Sequence, residues 1–301
     1  MTNEINYIYF FAEQKMISRL SPGEQKLRAN LLKEEAAQVH DRFAKFVAPA
    51  TVIIRGSAFT DPKKEFTEND FEVGVELLKL LATNCDDKVS PIFWAHPIMS
   101  AEYAETIEKV IKQNGGPDLN PWLLKSRLLI HDIGKLFKFR YMLSNQIASR
   151  FLKRCGVDSR TMDFIPPVED IIGISGKTIT GIENISLEQI IADVANDLGQ
   201  PKLDPFGNIT IKDTNEIIGF AKKQPQRYTG GVWINEDIAR RALEERNGQG
   251  MAIELLKEEM AFLYKKYKVD FRDTRIETLK KFRGPKNQNI VKELQKLINS
   301  N

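Results

Sequence analysis

Two cysteines, Cys85 and Cys155, are all the chain has in 301 residues. They form no CxxC pair and lie far apart. That argues against structural zinc and against a disulfide framework, and it points to a reduced, cytoplasmic protein. No apolar run approaches the ~18–20 residues of a membrane span. The opening stretch, MTNEINYIYFFAEQKM, carries acid where a secretory signal carries a basic region, so no signal peptide is expected. A dominant charge sign is missing too. Lys and Arg number 44 against 41 Asp and Glu, a formal net charge of +3, which by itself implies neither a nucleic-acid nor a membrane partner. Histidine occurs only as His40, His96 and His131.

What remains is mostly helical pattern, in a chain long enough for one large domain or two. Apolar residues recur at helical spacing in LSPGEQKLRANLLKEEAAQVHDRFAKFV, with Ser21 and Pro22 at its start. TVIIRGS reads as a short strand. FTENDFEVGVELLKLLATN is a second helix. HPIMSAEYAETIEKVIKQN is a third, opened by Pro97 and stopped at Asn114-Gly115-Gly116-Pro117. LNPWLLKSRLLIHDIGKLFKF is a fourth, with Asn120 as cap. SNQIASRFLKRCG is a fifth, ending at Gly156. ISLEQIIADVANDLG is a sixth, with Ser186 and Gln189 as a capping box and Gly199 closing it. A turn-rich stretch follows Pro205, then two or three more helices, the last after Gly284-Pro285. The expected class is mainly α.

LLIHDIGKLF, residues 128–137, sets His131 and Asp132 side by side in an apolar run. A carboxylate buried there must be paired or bound to a metal. His96, before Pro97, is placed at a helix mouth. The helix from Pro97 is roughly 25 Å long, and His131 lies roughly 15 Å into the next one. Antiparallel packing therefore permits His96 and His131 to share a site without requiring it. A fourth group is wanted. Asp193 stands at the edge of the apolar stripe Leu187, Ile190, Ile191, Val194 and Leu198, and Asp197 is its competitor. Two imidazoles with carboxylates suit a divalent transition metal better than calcium. Such an ion activates water and polarises a phosphoryl oxygen. Lys135 is a candidate catalytic cation, and Arg127 a second one for substrate.

The order His96, HDIGK at 131–135 and Asp193 in IIADVAND resembles the HD superfamily of metal-dependent phosphohydrolases, over roughly residues 90–200. The resemblance implies a compact helical domain, over residues 86–205, with one divalent metal held by His96, His131, Asp132 and Asp193. Residues 1–85 and 206–301 are then helical extensions. The ion would be Mn, Fe, Co, Ni or Zn, with Mg also compatible. Ser175 and Gly176 stand where a binuclear member carries further histidine. The implied activity is hydrolysis of a phosphate ester of a nucleotide or another small molecule, with Asp132 and Lys135 in the catalytic site.

GISGKTITG at 173–181 is not a P-loop, because Ile171 stands where the pattern needs glycine, although Lys177 remains a candidate for substrate binding. Residues 257–301 hold twelve Lys or Arg against six Asp or Glu, among five aromatics. Solvated helix faces explain this better than a nucleic-acid surface does. Two other functions stay open at this level: a nucleotide-binding regulator without turnover, and a nucleic-acid-associated protein.

Overall fold

The computed structural model describes residues 44–83, 91–134, 148, 150–162, 186–223 and 251–299. TVIIRGS is not a strand: the chain is helical to Ile54 and then turns. Ala50 and Ile54 are fully buried, and the Thr51 hydroxyl donates to the Val47 carbonyl (2.7 Å). Tertiary burial thus overrides the weak helix propensity of a β-branched run.

Thr67 starts helix α1 (Glu68–Ala82): its N–H and its hydroxyl both donate to the Asp70 carboxylate, at 2.8 Å each. Helix α2 (Pro91–Gln113) opens six residues before Pro97, which lies inside it. Pro97 offers no N–H to the Phe93 carbonyl one turn back, and deep packing of this stretch offsets that loss. Trp94, Ala95, Ile98, Met99, Ala101 and Ala104 are all fully buried. A helix apolar on nearly every side belongs in the middle of a protein. The chain leaves α2 as its sequence predicts, with Gly115 at φ +78 and the Gly116 N–H donating to the Ile111 carbonyl (2.9 Å).

Asn120 caps helix α3 (Pro121–Ile130), its side-chain oxygen accepting from the N–H groups of Trp122 and Leu123 at 3.0 Å. The regular helix stops at Ile130, short of the HD pair, and His131–Gly134 continue as a turn. Gly156, at φ +84, ends the predicted fifth helix. Ser186 caps α4 (Leu187–Leu198) by accepting from the Gln189 N–H (3.1 Å). Only half of the expected capping box forms, because the Gln189 side chain donates to Asp193 instead (2.9 Å). A small antiparallel hairpin, β1 (Pro201–Leu203) and β2 (Ile209–Ile211), occupies part of the turn-rich stretch. Helices α5 (Thr214–Lys223), α6 (Met251–Tyr267), α7 (Phe271–Phe282) and α8 (Pro285–Asn299) follow. The described chain is mainly α.

Helix α2 is the hub. It packs against α3, α4, α7 and α8, while α1 lies on α3 and α8, and α6 on α4. The chain divides at Ala44/Lys45, and nearly all described residues belong to the second, compact unit, Lys45–Asn301. The predicted first helix falls outside the described residues except at its end. Among the described residues no helix is long and apolar enough to cross a membrane. One buried ion cluster binds the second unit together. Lys125 of α3 reaches Glu102 (2.9 Å) and Glu105 (2.7 Å) of α2, and Asn287 of α8 donates to Glu102 (3.1 Å).

Candidate metal centre

The site forms where two helices end. His131 is the C-terminal cap of α3, and the last turn of α4 comes up against His96 of α2. Both helix C-termini carry partial negative charge, which favours a cation between them. His96, His131 and Asp132 are 8%, 9% and 5% exposed. Each contributes one ligand atom to a group whose members lie within 4.8 Å of one another, the only such group among the described residues. The rings meet edge to face, centroids 5.3 Å apart. Asp132 lies between them: Oδ2 is 3.6 Å from His96 Nε2, and Oδ1 is 3.4 Å from His131 Nε2.

The other ring nitrogens fix the tautomers. His131 Nδ1 is 2.5 Å from the Leu128 carbonyl, and His96 Nδ1 is 3.2 Å from the Gly199 carbonyl. A carbonyl can only accept, so each Nδ1 donates. Both Nε2 atoms then present lone pairs toward Asp132 in the neutral rings. A metal-binding histidine shows this pattern, its second nitrogen held by a backbone acceptor. Two imidazoles and a carboxylate also form a donor set that suits a divalent transition metal. The group is thus compatible with a metal site.

Asp193 does not join it. Its Oδ1 accepts from Gln189, and its buried Oδ2 has no hydrogen-bond partner among the described residues. It is outside the triad's group, and its charge influences Glu259 of α6. Burial, and then the nearby Asp197 charge, push the Asp193 carboxyl well above the usual range. Glu259, only 1% exposed, is pushed up by burial and by Asp193 and Asp197. Asp197 does not enter the triad's group either. The residue of α4 that meets the site is Asn196, whose Oδ1 is 3.1 Å from His96 Nε2.

Arg127 is buried on α3, one turn before His131. Lys135 and Lys177 lie outside the described residues. Sequence reasoning missed Asn196, Glu259 and Ser100, whose hydroxyl is 3.4 Å from His96 Nδ1. It took Gly199 as a helix stop only. A Cβ there would meet the Ala195 carbonyl oxygen and Ser100 Oγ at 2.6 Å, so glycine lets α4 approach α2 closely enough to hold His96. No family model, curated protein or solved structure matches the chain.

Proposed function

We propose that the chain is a metal-dependent phosphohydrolase of the HD type, acting on a phosphate ester of a nucleotide or another small molecule. The observation that carries this reading is the orientation of the two histidines: each turns Nδ1 to a backbone carbonyl and Nε2 toward Asp132. Three ionisable groups converge where two helix C-termini meet, a setting that suits a bound cation. The order His96, His131-Asp132 in HDIGK supports the family.

A divalent ion held by His96, His131 and Asp132 would supply Lewis acidity toward water and toward a phosphoryl oxygen. Asp132, between the two rings, offers a carboxylate where such an ion would need an oxygen ligand. The Leu128 and Gly199 carbonyls keep both rings in the tautomer that binds. Lys135, three residues past Asp132, is assigned to neutralising the substrate phosphate, with Arg127 and Lys177 as further cations for it.

The test is phosphate release from a panel of nucleotides and phosphomonoesters by metal-replete protein. Turnover lost in His131→Ala together with the metal, and lost in Lys135→Ala with the metal retained, is the expected pattern. A nucleotide that binds tightly and stays intact would replace the enzyme with a regulator.

A further inference from the structure

We propose that Asn196 is the fourth protein ligand of the metal, so that an amide oxygen stands where a carboxylate of α4 was expected. The inference rests on the reading that His96, His131 and Asp132 hold a divalent ion.

The first support is a pair of atoms that cannot bond to each other while the His96 ring is neutral. His96 Nδ1 donates to the Gly199 carbonyl, so in a neutral ring Nε2 is a lone pair. Asn196 Oδ1, also a lone-pair atom, lies 3.1 Å away from it. Two acceptors at that separation repel unless a cation joins them. The second support is spacing. Ligand atoms about 2.0–2.2 Å from one ion, at tetrahedral or octahedral angles, lie roughly 2.8–3.6 Å apart. The contacts His96 Nε2–Asn196 Oδ1 at 3.1 Å, His131 Nε2–Asp132 Oδ1 at 3.4 Å and His96 Nε2–Asp132 Oδ2 at 3.6 Å, the last two made by the two oxygens of one carboxylate, fall in that range.

Helical phase gives the third support. Asn196 and Gly199 are three residues apart, on one side of the last turn of α4, and both reach the His96 ring. Asp193 spends one oxygen on Gln189 and is outside the triad's group. The amide also has a chemical consequence. With one carboxylate rather than two among four protein ligands, a divalent ion keeps a net positive charge at the site. That favours an anionic substrate and makes the ion easier to remove.

Titration of Co²⁺ into the metal-free full chain tests this, read by calorimetry and by the visible Co²⁺ absorption. Four proteins are compared: the unaltered chain, Asn196→Leu, Asn196→Asp and Asp193→Asn. Asn196→Leu should weaken binding by about tenfold or more, the scale seen for groups that shape a metal site. Asn196→Asp should tighten it and change the Co²⁺ spectrum, since a charged ligand alters the ligand field. Asp193→Asn should stay within about twofold and keep the spectrum. If Asn196→Leu does not fold, the Asn196→Asp spectrum decides. A spectrum unchanged in Asn196→Asp would reduce Asn196 to an amide that donates to His96 with its oxygen and nitrogen exchanged, and the proposal would fall. Binding lost in Asp193→Asn, with Asn196→Leu unaffected, would return the role to Asp193. Both of those results leave the metal itself in place. An unaltered chain that binds no Co²⁺, Zn²⁺ or Mn²⁺ would overturn this inference and the phosphohydrolase reading together.

Discussion

His96 Nδ1 lies 3.2 Å from the carbonyl oxygen of Gly199, a contact between residues 103 positions apart that joins the central helix to the end of α4. The contact depends on a missing side chain. A Cβ at Gly199 would lie 2.6 Å from the Ala195 carbonyl oxygen and 2.8 Å from Ser100 Cα, and neither backbone can step aside freely. Gly199→Ala should therefore push α4 away from α2 and release the His96 ring. Expected are a metal affinity lower by about 10- to 100-fold and a lower melting temperature, measured by calorimetric titration and thermal unfolding. An affinity equal to that of the unaltered chain would show that the Gly199 carbonyl does not orient His96.

A second prediction concerns the acids between α4 and α6. Asp193 and Glu259 both have raised folded-state values, chiefly from burial. The folded chain then holds protons that the unfolded chain releases once pH exceeds about 4. Stability should fall as pH rises from there toward the folded values, and the loss should be complete above them. Glu259→Gln keeps the shape and removes the titration. It should flatten this slope and raise the melting temperature at pH 8 by about 2–4 °C, what roughly 1 kcal/mol gives in a chain of this size. Thermal unfolding across pH 4–9 measures it. A steeper slope in the variant would mean that Glu259 is charged and paired in the fold.

How far the sequence could be read follows from these same residues. The HD pair was legible because two ionisable groups interrupted an apolar run, and the caps Asn120 and Ser186 were legible because their chemistry is local. The start of α2 was not, since Pro91 and Pro97 are both acceptable near a helix opening and only tertiary burial chooses the earlier one. Three-residue strands are too short to show alternation, so the hairpin passed as turns. The surroundings of Asp193 and Asn196 were hidden for a different reason. Asp193 stands at the edge of the α4 stripe, where the sequence cannot tell whether α2 or α6 will be its neighbour. Asn196 carries no charge to draw attention. The approach of α4 to α2 sets Asn196 beside His96, and it depends on Gly199 and Ser100, far apart in sequence.

A third prediction tests the triad directly. His131→Ala or Asp132→Ala should abolish stoichiometric metal binding, and the unaltered chain should hold about one divalent ion by elemental analysis. Bound metal should raise the melting temperature of the unaltered chain and leave that of both variants unmoved. A second tightly held ion would call for carboxylates beyond the triad, and the buried carboxyls of Asp193 and Glu259 would be the first place to look.

The last prediction concerns the ion cluster that binds the C-terminal helices to the hub. The side chains of Lys125 and Glu102 are each 7% exposed and 2.9 Å apart, and Asn287 of α8 shares the Glu102 oxygen. Lys125 also lies 4.9 Å from the Trp122 ring centre and 5.1 Å from that of Phe71. Removing the cation strands Glu102 without its charge partner in a buried setting. Lys125→Met keeps most of the volume, so its cost is electrostatic: about 3–5 kcal/mol, the scale for breaking one side of a buried pair. Adding Glu102→Leu removes the stranded charge and should recover much of that loss, though Glu105 and Asn287 then lose a partner each. Chemical denaturation of the single and double variants measures the recovery. If the double variant were less stable than the sum of its two single changes, the cluster would act through packing rather than charge, and the attachment of α8 to α2 would rest on its apolar face alone.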